Sequence, residues 1–140
     1  MAKVNLNIEL VVIDDDNQVL EVLVEYLEYF GLASIKAFSK STMAMQYIQD
    51  TSNNIDLIIS DWEMKDLSGL DILKGLRANP SRSKTPFIMV TSQSSIERMK
   101  ITQAMQTGVD GYIVKPFRAE VLKDKIWNVM EWESSDDLAG

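Results

Sequence analysis

Ile55-Asp56-Leu57-Ile58-Ile59-Ser60, followed at once by Asp61, is a short apolar run rich in β-branched side chains. It reads as a buried strand. Asp61–Ser68 then reads as a loop. A helix carrying Leu70, Leu73 and Leu76 runs to about Ala78, where Asn79-Pro80 stops it. The same alternation extends in both directions. Upstream, Ile8–Ile13 is a strand, and Leu20, Leu23, Val24, Leu27 and Phe30 mark one helical face that closes at Gly31. Ala33–Ala37 is a weaker strand, and Ser39 or Ser41 is placed to cap a helix carrying Ala44, Tyr47 and Ile48. Downstream, Pro86–Val90 is a strand. Ser94 or Ser95 is placed to cap a helix with Ile101, Ala104 and Met105 that ends near Gly108. Gly111–Val114 is the fifth strand, and a last helix from Arg118 to about Met130 turns Leu122, Ile126 and Val129 inward. Met89 and Met105 fall on these elements and read as core filler.

Strands joined by helices of this length predict right-handed crossovers. The expected fold is α/β and doubly wound, a five-stranded parallel sheet with helices on both faces. One domain is expected over 1–140, with its core at about 8–130 and an acidic tail at 131–140.

Composition narrows the chemistry. The chain has 140 residues, 14 Lys and Arg against 21 Asp and Glu, and a net charge of −7. Such a balance argues against nucleic acid or an anionic membrane as partner, because both select clustered bases. No apolar run approaches the ~18 residues of a membrane span, and the N-terminus has no apolar signal region. A cytoplasmic location is expected. Cys and His are both absent, which excludes thiolate nucleophiles, a Ser-His-Asp triad and His-ligated zinc. Acid–base or metal chemistry must run on carboxylates, Lys, Tyr, hydroxyls or the backbone.

In open α/β sheets, ligands bind beyond the carboxyl ends of the strands. There the sequence puts Asp14-Asp15-Asp16 after the first strand, Asp61 after the third, Thr91-Ser92 after the fourth and Lys115-Pro116 after the fifth. An acidic run after a strand is ordinarily a solvated turn, and each of these signals is weak alone. Together they fall on one edge of one sheet. Clustered carboxylates repel unless protonated or neutralised by a cation, and oxygen ligands favour Mg²⁺.

Four segments carry a resemblance: Val11-Val12-Ile13-Asp14-Asp15, Ile59-Ser60-Asp61-Trp62-Glu63-Met64 with Ser68-Gly69-Leu70, Met89-Val90-Thr91-Ser92, and Gly111-Tyr112-Ile113-Val114-Lys115-Pro116-Phe117. In this order the chain resembles the receiver domain of two-component response regulators, the CheY-like family with its flavodoxin-like fold, and most nearly its stand-alone chemotaxis members. The resemblance implies Asp61 as phosphoacceptor, and Asp14, Asp15, Asp61 and the Glu63 backbone carbonyl around Mg²⁺. It implies Thr91 and Lys115 as ligands of the phosphoryl oxygens, and Thr91 with Tyr112 as a switch. It also implies a cis bond between Lys115 and Pro116. The output surface is expected at Tyr112, Val114 and Lys125, with Lys125 exposed.

The implied partners are a histidine kinase as phosphodonor and a downstream protein, a flagellar switch in the first reading; a monomer is expected. The chain is then a signalling domain and not an enzyme. The alternative is a receiver module of a larger hybrid kinase or phosphorelay with a non-flagellar target. A phosphatase with an Asp nucleophile is disfavoured, because Gln18 stands where that class needs a hydroxyl. The chain departs from the family at Lys65, where Pro is usual, and at Ser94-Ser95-Ile96-Glu97-Arg98, which lacks the lysine-rich start of flagellar-switch binders.

Overall fold

The computed structural model describes residues 2–92 and 97–133. Its strands are β1 (Glu9–Ile13), β2 (Ser34–Phe38), β3 (Leu57–Asp61), β4 (Phe87–Ser92) and β5 (Gly111–Lys115). They alternate with helices α1 (Asn17–Tyr29), α2 (Ser41–Gln49), α3 (Gly69–Ala78), α4 (Glu97–Thr107) and α5 (Ala119–Val129). All neighbouring strands are parallel, in the order β2-β1-β3-β4-β5. The doubly wound fold expected from the sequence is the one observed.

Alternate side chains of the central strands leave opposite faces of the sheet, which explains their nearly unbroken apolar sequence. Leu10, Val12, Ile59, Ile88 and Val90 pack with Leu20, Leu23 and Leu27 of α1 and Leu122 and Ile126 of α5. Val11, Ile13, Ile58, Phe87 and Met89 pack instead with Ala44 and Ile48 of α2, Ile72, Leu73 and Leu76 of α3, and Ala104 of α4. Burying a Leu or Ile side chain contributes roughly 1.5–3 kcal/mol, so these two layers hold the helices on the sheet.

Several details differ from the sequence reading. Met105 is 63% exposed and fills no core. Among the described side chains of α4, Ala104 meets the sheet side, and the next position points about 100° around the helix. Neither Ser39 nor Ser41 caps α2. Lys40 holds that position without a side-chain cap hydrogen bond, and Ser41 is the first helical residue. The cap expected at Ser94 or Ser95 lies outside the described residues. α1 is capped by Asp16, whose Oδ1 accepts from the Gln18 and Val19 amides at 2.9 and 3.4 Å, and α3 begins in a Ser68/Asp71 capping box. Gly31 closes α1 at φ 95°, a left-handed conformation that favours glycine.

Ala2 pairs with the segment that follows α5. The Ala2 amide donates to the Glu131 carbonyl and the Glu133 amide to the Ala2 carbonyl, each at 2.8 Å. This seats Trp132, which is 5% exposed and packs edge-on against Trp127 at 5.0 Å. The rest of the acidic tail, 134–140, lies outside the described residues.

Candidate functional site

The strand order reverses between β1 and β3, which lie side by side and send their crossovers to opposite faces. A crevice therefore opens at their carboxyl ends. Asp14 follows β1 directly, and Asp61 is the last residue of β3. The sequence reading put Asp61, Thr91 and Lys115 just beyond their strands. The structure places all three within them, because the ladder continues through Asp61↔Val90, Thr91↔Val114 and Ser92↔Lys115. Strand positions hold side chains more firmly than loop positions.

The crevice is a cleft of about 260 Å³ lined by Asp14, Asp15, Asp16, Asp61, Glu63, Ser92 and Lys115, with Trp62 at its wall. One carboxylate oxygen from each of Asp14, Asp15 and Asp61 lies within 4.8 Å of the others. Asp14 is fully buried and Asp61 is 8% exposed. The Lys115 ammonium stands between them, 3.0 Å from Asp14 Oδ2 and 3.4 Å from Asp61 Oδ1. The Asp16 amide donates to Asp14 Oδ1 at 2.9 Å, and the Trp62 amide to Asp61 Oδ1 at 2.9 Å. The Lys65 amide donates to Asp15 Oδ2 at 3.1 Å. Each carboxylate is thus anchored by a backbone N–H.

Electrostatics follow from this crowding. Burial, and then the neighbouring charge of Asp14, push the Asp61 carboxyl up to about 6, although Lys115 and the Trp62 amide pull the other way. Burial works against the charge on Lys115. Its hydrogen bond to Asp14 and the charges of Asp61 and Asp14 outweigh that and hold the ammonium above its ordinary value. Five acids lining the cleft against one base leave it short of positive charge. An all-oxygen donor set of this kind fits a hard divalent cation, so the pocket could hold a metal ion.

The structure brings Asp14, Asp15, Asp61, Glu63 and Lys115 around the cleft, as the sequence suggested. Thr91 is 1% exposed on β4, and Ser92, the next residue of the strand, is among those lining the cleft. Tyr112 is 39% exposed on β5. Lys125, expected exposed, is half-buried; its ammonium lies 5.9 Å from the centre of the Tyr112 ring, a cation–π contact, and its stem covers Gly111. The Lys115-Pro116 bond is cis, as expected.

Sequence reading gave Asp16 no role, yet it caps α1 and anchors Asp14 through its amide. The signal was a carboxylate immediately before a helical apolar pattern. Gly69 has a packing role that the sequence pattern does not show. A Cβ there would collide with the Asp61 carbonyl oxygen and stand 2.7 Å from Met89 Sδ, while the Gly69 amide donates to the Trp62 carbonyl at 2.8 Å. Gly69→Ala is therefore expected to push the end of β3 out of register and lower stability by about 2 kcal/mol, in the range for overpacking. Urea unfolding checks this; a midpoint unchanged from wild type would contradict it.

A five-stranded doubly wound sheet with an acidic cleft at its switch point defines the class. The chain belongs to the response regulator receiver domain family, whose model matches residues 10–127. It is 32% identical over 123 residues to the chemotaxis protein CheY of Pseudomonas aeruginosa, covering 88% of this chain and 96% of that one. It is 30% identical over 130 residues to the chemotaxis protein CheY-3 of Vibrio cholerae, covering 93% and 97%. Among solved structures, a response regulator receiver domain protein from Clostridium thermocellum superposes with a TM-score of 0.77 at 28% identity, covering 89% of this chain and 94% of that one. Among the described residues, no helix is long and apolar enough to cross a membrane.

Proposed function

We propose that this receiver accepts a phosphoryl group on Asp61 from a partner histidine kinase and thereby changes its protein-binding surface. The observation that carries the reading is the Lys115 ammonium standing between buried Asp14 and Asp61, with Asp15 beside them. This is a nucleophilic carboxylate with cation-binding capacity on both sides. Asp14, Asp15, Asp61 and the Glu63 backbone carbonyl would hold Mg²⁺, which supplies charge neutralisation for phosphoryl transfer when bound. One Asp61 oxygen forms the new P–O bond as the donor's P–N bond breaks. The chain has no His, so the phosphohistidine belongs to the partner. Lys115 meets the negative charge that spreads over the transferring oxygens. The Thr91 hydroxyl would turn toward the phosphoryl group and donate a charge-assisted hydrogen bond.

That movement frees space beneath β5, into which Tyr112 rotates. Phosphorylation then shifts a two-state population, with Tyr112, Val114 and Lys125 forming the output surface. The relatives named as chemotaxis proteins support a chemotaxis target, with the flagellar switch as the first candidate. A cytoplasmic monomer fits this role.

The direct test is incubation with a small acyl phosphate and Mg²⁺, read by intact mass. One added phosphoryl group, lost on treatment with hydroxylamine and absent in EDTA, is expected. A mass unchanged in Mg²⁺ would overturn the reading. For the output surface, Tyr112→Ala is expected to weaken partner binding by the phosphorylated form at least tenfold while leaving phosphoryl uptake at the wild-type rate. Calorimetry with the isolated partner measures this, and unchanged affinity would place the output surface elsewhere.

A further inference from the structure

Asp15 differs from its two companions in the cleft. Asp14 and Asp61 are buried and share Lys115, whereas Asp15 is exposed, and an exposed carboxylate rotates freely unless something ties it. The tie is the Lys65 amide, 50 positions away in the β3–α3 loop, at 3.1 Å from Oδ2. That amide fixes the carboxylate, one oxygen of which lies within 4.8 Å of oxygens of both Asp14 and Asp61.

What holds the amide is Ser41. Residues 65–67 form a γ-turn: the Leu67 amide donates to the Lys65 carbonyl at 2.9 Å, and Asp66 sits at φ 70°. A non-glycine residue in that region costs free energy and persists only when the surroundings hold it. The Ser41 hydroxyl bridges the turn. It donates to the Lys65 carbonyl at 2.7 Å and accepts from the Leu67 amide at 3.0 Å. Ser41 is 1% exposed and belongs to the first turn of α2, so the bridge ties the loop to a rigid element. It is also a hydroxyl that neither caps its helix nor enters the cleft.

We infer that Ser41 is a positioning residue for cation binding: it clamps the 65–67 turn so that the Lys65 amide orients the Asp15 carboxylate. The device requires a residue with an N–H at position 65, which proline lacks. The inference rests on the function proposed above, specifically on the metal site. Partners that orient a metal ligand through a hydrogen bond are commonly worth tenfold or more in affinity.

The test is calorimetric titration of the metal-free protein with Mg²⁺ alone, alongside thermal unfolding without Mg²⁺. Ser41→Ala and Lys65→Pro are each expected to raise the Mg²⁺ Kd about tenfold. The double variant should be no weaker than the worse single one, because both act through one N–H. Lys65→Ala keeps the amide and removes only the ammonium, so its Kd should stay at or below the wild-type value. A Kd within twofold of wild type in Ser41→Ala overturns the inference, whatever happens to its melting temperature. Should Ser41→Ala not fold, an unchanged Kd in Lys65→Pro overturns it equally. If instead the wild type shows no Mg²⁺ heat that Asp15→Asn removes, the metal site itself fails and the inference falls with it.

Discussion

Asp61→Asn is expected to abolish phosphoryl labelling completely and, at the same time, to stabilise the metal-free protein. The first effect follows because an amide oxygen is a far poorer nucleophile than a carboxylate. The second follows from the cost of the native charge. Asp61 has its carboxyl at about 6 in the fold against 3.8 when unperturbed. Between roughly pH 4 and 6, therefore, the folded chain keeps a proton that the unfolded chain has lost, and stability falls as pH rises through that window. Above it both states are ionised, and the fold bears the full cost of a buried carboxylate beside Asp14. A shift of about two pKa units corresponds to about 3 kcal/mol, and the partial access of water to the cleft reduces the expectation to about 2 kcal/mol. Urea unfolding in EDTA checks the sign. The variant should exceed the wild type at pH 8 and converge with it near pH 4. Equal stability at both pH values would show that Asp61 carries no such cost.

The second large effect lies away from the cleft. Arg82→Met is expected to destabilise by about 3 kcal/mol, because charge-assisted hydrogen bonds contribute about 1.5–3 kcal/mol each and the buried Ile48 carbonyl is left unpaired. Arg82 is only 6% exposed. Its guanidinium donates to the Ile48 carbonyl at 2.9 Å, the Asp50 carbonyl at 2.9 Å and the Asn53 carbonyl at 2.6 Å. It therefore satisfies carbonyls that the end of α2 leaves open, where the helix dipole also favours a cation. Met keeps much of the apolar stem and offers no donor. A drop in thermal midpoint with unchanged labelling per folded molecule is the expected result. A midpoint equal to that of the wild type would show that water replaces the guanidinium at no cost.

These two residues differ in how far a sequence shows them. Asp61 was legible because a carboxylate directly after an apolar strand, matched by Asp14, Thr91 and Lys115 after other strands, forms a joint pattern. Arg82 had no such signal. It follows Asn79-Pro80 in what reads as a solvated loop, and its three acceptors lie about thirty positions upstream. Met105 misled for a related reason. Periodicity shows that a helix has an inner face, but the edge of that face depends on how the helix sits on the sheet, and α4 turns Ala104 inward.

The sequence by itself determined the number, kind and order of the elements, the doubly wound class and which side chains gather at the strand ends. Local propensity, apolar periodicity and the rule that parallel sheets bind ligands at their carboxyl edge suffice for that. Tertiary structure alone decided that Asp61, Thr91 and Lys115 lie inside the ladder, that Ser92 joins the cleft lining, and that Lys125 lies along Tyr112. It alone decided that Ser41 spends its hydroxyl on the 65–67 turn. Each of these is a contact between residues distant in the chain, set by strand register and helix rotation. Neither quantity is encoded in any window of sequence short enough to read by eye.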